Sequence, residues 1–186
     1  MTGHPINDRR YFEYLWVLEY LTFGKSPHEI KIRSGALRMC LQYKPAYTTL
    51  TALGVYPGKG KALNVTIPET LVKKGWKYTK WVLRGIMDTD GTLFFSKKTY
   101  KTAIYPTLEI STSSKNLAIQ INTLLLEKGF RSRIRKYGRP GGNDEFHVAL
   151  YGHAMLRKWI YEIGFSNRRH INKLVPRYSM KLDMPQ

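Results

Sequence analysis

The sequence predicts an α+β protein, and three observations carry that reading. Stretches with apolar residues at helical spacing alternate with short runs of period-two alternation, glycines mark where helical stretches stop, and one order of elements occurs twice. Asp8 can cap a first helix through Tyr11, Leu15, Leu18 and Leu21, with Gly24 just past its end. The aromatics Tyr11, Phe12, Tyr14 and Trp16 sit on it at spacings expected of core packing. The alternating segment His28 to Ile32, the turn Ser34-Gly35 and a strand from Ala36 to Leu41 form a hairpin. A short helix bearing Leu50 and Leu53 stops at Gly54, and the basic stretch Lys59-Gly60-Lys61 follows. Pro68-Glu69-Thr70 is suited to opening a short helix. A longer apolar helical segment then runs to Asp88-Thr89-Asp90-Gly91, and strands are expected over 92–100 and 104–112. The first order now returns. Ser113 or Ser114 caps a helix through Leu117, Ile121, Leu124 and Leu125 to Gly129, and strands 131–135 and 145–151 flank a glycine-rich turn through Arg139 and Pro140. A helix with Ile160 and Ile163 stops at Gly164, and Arg168-Arg169-His170 is the second basic stretch. Residues 8–64 thus echo residues 113–174, which suggests two related halves.

Charge narrows the function. The 186 residues hold 31 lysines and arginines against 13 acids, a net +18, while 42% hydrophobic residues argue against disorder. A polyanionic partner is the usual reason for such an excess, and nucleic acid leads because each neutralised phosphate releases a counterion. A membrane surface is the weaker rival, since no helix carries a lysine face and no apolar run approaches the ~18 residues of a span. The single cysteine, Cys40, excludes an intramolecular disulfide framework and a multi-cysteine zinc site. Between Met39 and Leu41 it is expected to be a buried small hydrophobe. The opening residues show neither an apolar signal core nor a transit-peptide pattern, so a cytoplasmic, reducing setting is expected.

The segment Leu83-Arg84-Gly85-Ile86-Met87-Asp88-Thr89-Asp90-Gly91 is the most informative. Two carboxylates at a helix C-terminus meet the unfavourable end of the dipole and are poorly stabilised there without a cation. Hard oxygen ligands of this type suit Mg²⁺. Gly85 beside Ile86 lets a second helix backbone approach closely. An Asp-Gly turn into a strand is the plain alternative for Asp90-Gly91.

These nine residues resemble the signature of the LAGLIDADG homing endonucleases: Leu83, Gly85, Asp88, Asp90 and Gly91 match it, and Ile86 and Met87 keep its apolar character. The resemblance covers residues 81–174 well and 8–80 as a partial copy. It implies a partial first repeat over 1–80 that lacks an acidic motif, and a complete repeat with a DNA-binding sheet over 81–186. The implied fold is an antiparallel sheet saddle backed by helices, and the implied activity is site-specific hydrolysis of double-stranded DNA, as in intron-encoded or intein-like enzymes. Asp90 becomes the catalytic carboxylate that binds Mg²⁺, with the Thr89 carbonyl as co-ligand, and Asp88 takes a structural role. Basic residues that stabilise the phosphate are sought in the two basic stretches, at Lys59 or Lys61 and at Arg169 or His170. The family's polar residue late in the second strand falls near Thr112, where threonine is a departure.

On the implied saddle, alternation puts Arg131, Arg133 and Arg135 on one face, with Ser132 and Ile134 on the other. Three arginines in one row repel unless an anion lies across them, and arginine is the commonest reader of guanine. Tyr105, Thr107, Glu109 and Ser111 form a second polar row, and Lys97, Lys98 and Lys101 stand where phosphate contact is expected. A single acidic motif leaves half an active site. A homodimer, or a second polypeptide carrying the missing motif, would complete it. A non-cleaving DNA-binding regulator or an RNA maturase on the same scaffold is the alternative. A basic ribosomal or structural RNA-binding protein fits the charge but leaves the motif unexplained.

Overall fold

The computed structural model describes residues 2–27, 29–55, 61–138 and 141–178. In chain order the elements are β1 (Thr2–Gly3), α1 (Arg9–Phe23), β2 (Lys31–Arg33), β3 (Ala36–Arg38), α2 (Lys44–Ala52), a 3-10 turn (Lys61–Leu63) and α3 (Glu69–Lys73). There follow α4 (Trp76–Asp90), β4 (Gly91–Ser96), β5 (Tyr105–Thr112), α5 (Lys115–Glu127), β6 (Ser132–Tyr137), β7 (Glu145–Tyr151), α6 (Gly152–Glu162) and α7 (Arg168–Tyr178). The strands form two antiparallel sheets, a small one in the order β1-β3-β2 and a four-stranded one in the order β4-β5-β7-β6. The protein is α+β, as the pattern predicts.

The main core lies between the larger sheet and its helices. Leu93, Leu108, Ile110, Val148 and Leu150 from the strands meet Leu83 and Met87 of α4, Ile121 and Leu125 of α5, and Leu156 and Trp159 of α6. Period two sends the other face of the same strands away from this core. A minor core of Phe12, Leu37 and Met39 holds α1 to the small sheet.

Several local expectations shift. Ser114 caps α5 by accepting from Leu117 N at 3.2 Å. Asp8 precedes α1 but makes no capping bond to it; its carboxylate accepts from His4 N at 2.8 Å and from Asn167 Nδ2 at 2.9 Å. The motif helix begins at Trp76, seven residues before the signature's Leu83, and the strand expected over 92–100 stops at Ser96. Cys40 is exposed, not buried, because β3 ends at Arg38 and the pattern that hides Met39 turns Cys40 outward. Tyr11 and Phe12 are buried, whereas Tyr14 faces solvent. The readings that fell on His28, Lys59, Gly60, Arg139 and Pro140 lie outside the described residues, as does the side chain of Lys61. Among the described residues no helix is long and apolar enough to cross a membrane.

Candidate functional site

The end of α4 separates its two acids. Gly91 allows the helix to pass directly into β4: a Cβ there would stand 2.3 Å from Met87 Sδ and 2.6 Å from Met87 O, which no other residue could accept. Asp88 points inward and is 1% exposed. Its Oδ2 accepts from Ser166 N at 2.8 Å, and its Oδ1 has no hydrogen-bond partner. Burial pushes its pKa up, against the hydrogen bond from Ser166, which lowers it. Asp90 is exposed at the rim, and Thr89 Oγ1 donates to its Oδ2 at 3.2 Å.

Of the basic residues expected beside it, Arg169 and His170 face the protein. Arg169 Nη2 donates to the carbonyls of Asp88 at 3.1 Å, Thr89 at 2.8 Å and Gly91 at 3.0 Å. Its guanidinium therefore caps the helix end, whose last carbonyls lack partners within the helix. The Thr89 oxygen assigned by resemblance to a metal is held by a cation. His170 is fully buried, with Nε2 3.1 Å from Met87 O, and burial lowers its pKa to about 4. It is a neutral internal group, out of reach of a phosphate. The sequence placed both residues near the motif but carried no signal for the carbonyls they meet.

For a divalent metal, the donors fit in part. The exposed Asp90 carboxylate is a hard oxygen ligand of the right kind. The Thr89 carbonyl fits poorly as second ligand, because a metal there would meet the guanidinium of Arg169, 2.8 Å from the same oxygen, and like charges at that range repel. Among the described residues no group of three or more His, Cys, Asp or Glu is placed to hold a metal ion.

The face of the larger sheet turned away from the core is built by register. Thr92, Glu109, Ala149 and Arg133 form one row across the four strands, and Ser111, His147 and Arg135 form the next. A cleft of ≈ 410 Å³ is lined by Arg131, Arg133, Arg135, Lys98, Tyr105 and Tyr151. Lys98, at φ 44°, turns back so that Nζ stands 3.8 Å from the Tyr105 ring centre and 5.1 Å from that of Tyr151. It thus joins the arginines, while Lys97 and Lys101 remain exposed beyond the strand. Thr107 corrects the polar row. It is 2% exposed, paired between Phe94 and Tyr151, and so is shut off from any ligand on this face.

Sequence reasoning missed an acidic island in this basic face. His147 Nδ1 lies 2.9 Å from Glu109 Oε1, and Nε2 lies 3.7 Å from Glu145 Oε1. Tyr137 covers the imidazole, its ring centre 4.5 Å away. Applying alternation to 145–151 would have placed Glu145, His147 and Tyr151 on this face.

Beside Asp90 runs an apolar groove of ≈ 610 Å³, with Val82 and Ile86 of α4 on one wall and Ile67, Pro68 and Leu71 on another. Gly85 has nothing within 4 Å of where a Cβ would stand, and Trp81, one turn before it, is 52% exposed. This side of α4 is open.

Comparison with known proteins places these features. Residues 77–164 match the family model of the LAGLIDADG-like domain. The replication factor C small subunit of Thermococcus kodakarensis is 31% identical over 141 residues, covering 74% of this chain and 14% of that protein. The replicative DNA helicase DnaB of Synechocystis sp. is 31% identical over 101 residues, covering 53% of this chain and 11% of that protein. The chain thus spans about a seventh or less of the curated relatives it matches. Among solved structures, I-DmoI in complex with DNA and Mn superposes with a TM-score of 0.58 at 16% identity, covering 89% of this chain and 80% of that one. That likeness is one of fold.

Proposed function

We propose that this chain, in which residues 77–164 are a LAGLIDADG-like domain, is a site-specific endonuclease of double-stranded DNA that hydrolyses phosphodiesters with a divalent metal such as Mg²⁺. The observation that carries the reading is the pairing of an exposed Asp90 at the motif helix end with a sheet face whose cleft is lined by Arg131, Arg133 and Arg135. A metal bound at Asp90 would supply an activated water and charge stabilisation at the leaving oxygen. The chain's own groups do the rest. Arg131, Arg133 and Arg135 bind and orient the duplex, Glu109 and Ser111 offer polar groups to base edges, and Lys97 and Lys101 meet phosphates. Lys61 remains the basic residue proposed beside the scissile phosphate.

One chain offers one catalytic carboxylate. We propose that residues 1–80 are a partial repeat without an acid and 81–186 a complete one, and that two copies pair through the open side of α4. The exposed Trp81, the bare Gly85 and the apolar groove at Ile86 support this pairing, since an uncovered apolar face marks an interaction site. A two-fold dimer would favour a palindromic target. One observation favours the second reading, a non-cleaving DNA binder: Arg169 occupies the Thr89 carbonyl. The deciding experiment is cleavage of a plasmid library with Mg²⁺, run beside the solution mass of the active species. Selective double-strand cuts establish the nuclease, and tight sequence-selective binding without cuts establishes the binder.

A further inference from the structure

We infer that Arg169 is a positioning residue for Asp90, a resident cation at the end of the motif helix that keeps a divalent ion off the Thr89 oxygen and makes no contact with DNA. The inference deepens the nuclease reading and rests on it for the role of Asp90. One nitrogen, Nη2, serves three carbonyls on either side of Asp90, those of Asp88, Thr89 and Gly91, at 2.8–3.1 Å. Nη1 faces Asp8 Oδ1 at 3.5 Å, so the guanidinium is engaged on both sides. Its own backbone N donates to Asn167 Oδ1 at 3.0 Å, and Asn167 Nδ2 donates to Asp88 O at 3.0 Å and to Asp8 Oδ1 at 2.9 Å. One turn on, Lys173 Nζ donates to Leu93 O at 2.9 Å. The start of α7 is thus a strip of donors laid along the carbonyls that lead into and out of Asp90. A helix C-terminus carries partial negative charge on its unpaired carbonyls, and a fixed cation there is stabilising. A guanidinium committed to this strip has no fork left to clamp a phosphate. A second cation on the Thr89 oxygen would meet it at close range, where like charges repel strongly. The chain's metal donors then reduce to the Asp90 carboxylate.

The test uses the full chain and does not depend on cleavage, so failure of the nuclease reading would show separately in the plasmid assay. Arg169→Ala and Arg169→Lys are compared with Arg168→Ala, which removes the same charge from an exposed neighbour. If the alanine variant does not fold, the lysine variant carries the test, because a single ammonium nitrogen cannot face the three carbonyls and Asp8 Oδ1 together as the two guanidinium nitrogens do. Amide hydrogen exchange in the last turn of α4 and at Gly91 is expected to quicken about tenfold or more with α5 unchanged, a local effect of the lost cap. The Mn²⁺ concentration that broadens the amide signals of Thr89 to Gly91 should fall about threefold or more in Arg169→Ala, whereas a merely loosened helix would raise it. Asp90→Asn should remove the broadening. The salt slope of duplex binding should hold in Arg169→Ala and drop by about 0.9 only where a phosphate contact is lost. Unchanged exchange, unchanged or weaker Mn²⁺ binding, or a slope reduced by about 0.9 in Arg169→Ala each overturns the inference.

Discussion

Asp88 and Asp90 stand two residues apart, about 200° around the helix, so one enters the core while the other reaches the rim. Replacing Asp90 with asparagine keeps the shape and removes the charge. Cleavage should be abolished while duplex affinity stays nearly intact, and full Mg²⁺-dependent cutting by this variant would refute the assignment. His170 gives a second residue-scale prediction. An unfolded histidine takes up its proton near 6.5, but burial delays that uptake to about 4 in the fold, where Arg169, Lys173 and Asp8 are its charged neighbours. Between those values the unfolded chain binds more protons, so this contribution to stability is whole above 6.5 and declines as pH falls, by about 3 kcal/mol at pH 4. Asp88 acts in the opposite direction, because its raised pKa lets the fold accept a proton first. His170→Gln cancels the histidine alone. In urea unfolding from pH 7 to pH 4, wild type should therefore lose more stability than the variant, and parallel curves would exclude the effect. Asp90 was legible at this scale because its signature is local. The engagement of Arg169 with carbonyls some eighty positions earlier was not, because nothing in a basic tripeptide names its acceptor.

Elements were legible where their ends carry their own chemistry. Ser114 accepts from Leu117 N and starts α5 as expected, and Gly54 and Gly164, both at positive φ, stand just past the ends of α2 and α6. Where a tertiary partner competes, the reading failed. Asp8 sits at the cap position of α1 yet spends its carboxylate on Asn167 and Arg169. The strand expected over 92–100 ends at Ser96, because its ladder with β5 stops at the pair Ser96–Tyr105 and the chain turns away over Lys97 to Tyr100. For α4 itself the open side at Gly85 makes a specific prediction. A Cβ there meets no atom of the described residues within 4 Å, so the monomer should fold with its stability changed by less than about 1 kcal/mol in Gly85→Leu. If α4 is the pairing face, Gly85→Leu should separate the dimer in sedimentation and lose cleavage together. A wild-type monomer that cuts both strands would overturn the pairing.

At the scale of the whole molecule, the chain carries a net +18, and the outward face of the larger sheet gathers Arg131, Arg133, Arg135 and Lys98 around one cleft. Duplex affinity should fall about 10³-fold or more between roughly 50 and 200 mM salt if six or more phosphates are met, and a flat titration would point away from nucleic acid. Arg133→Ala should also relax sequence preference, whereas Lys101→Ala should weaken all sequences alike. The α+β class was foreseeable from the alternation of helical and period-two stretches. The closure of the outward face over Thr107 was not, because it depends on which strands lie on either side. A practical consequence follows from the exposed Cys40 just past the end of β3, the middle strand of the small sheet. As the only thiol in the chain, it accepts a single fluorophore or spin label without mutagenesis and offers a fixed origin for measuring distances within an assembly. It also allows air oxidation to link two chains covalently, so only a dimer that persists in reductant reports on α4.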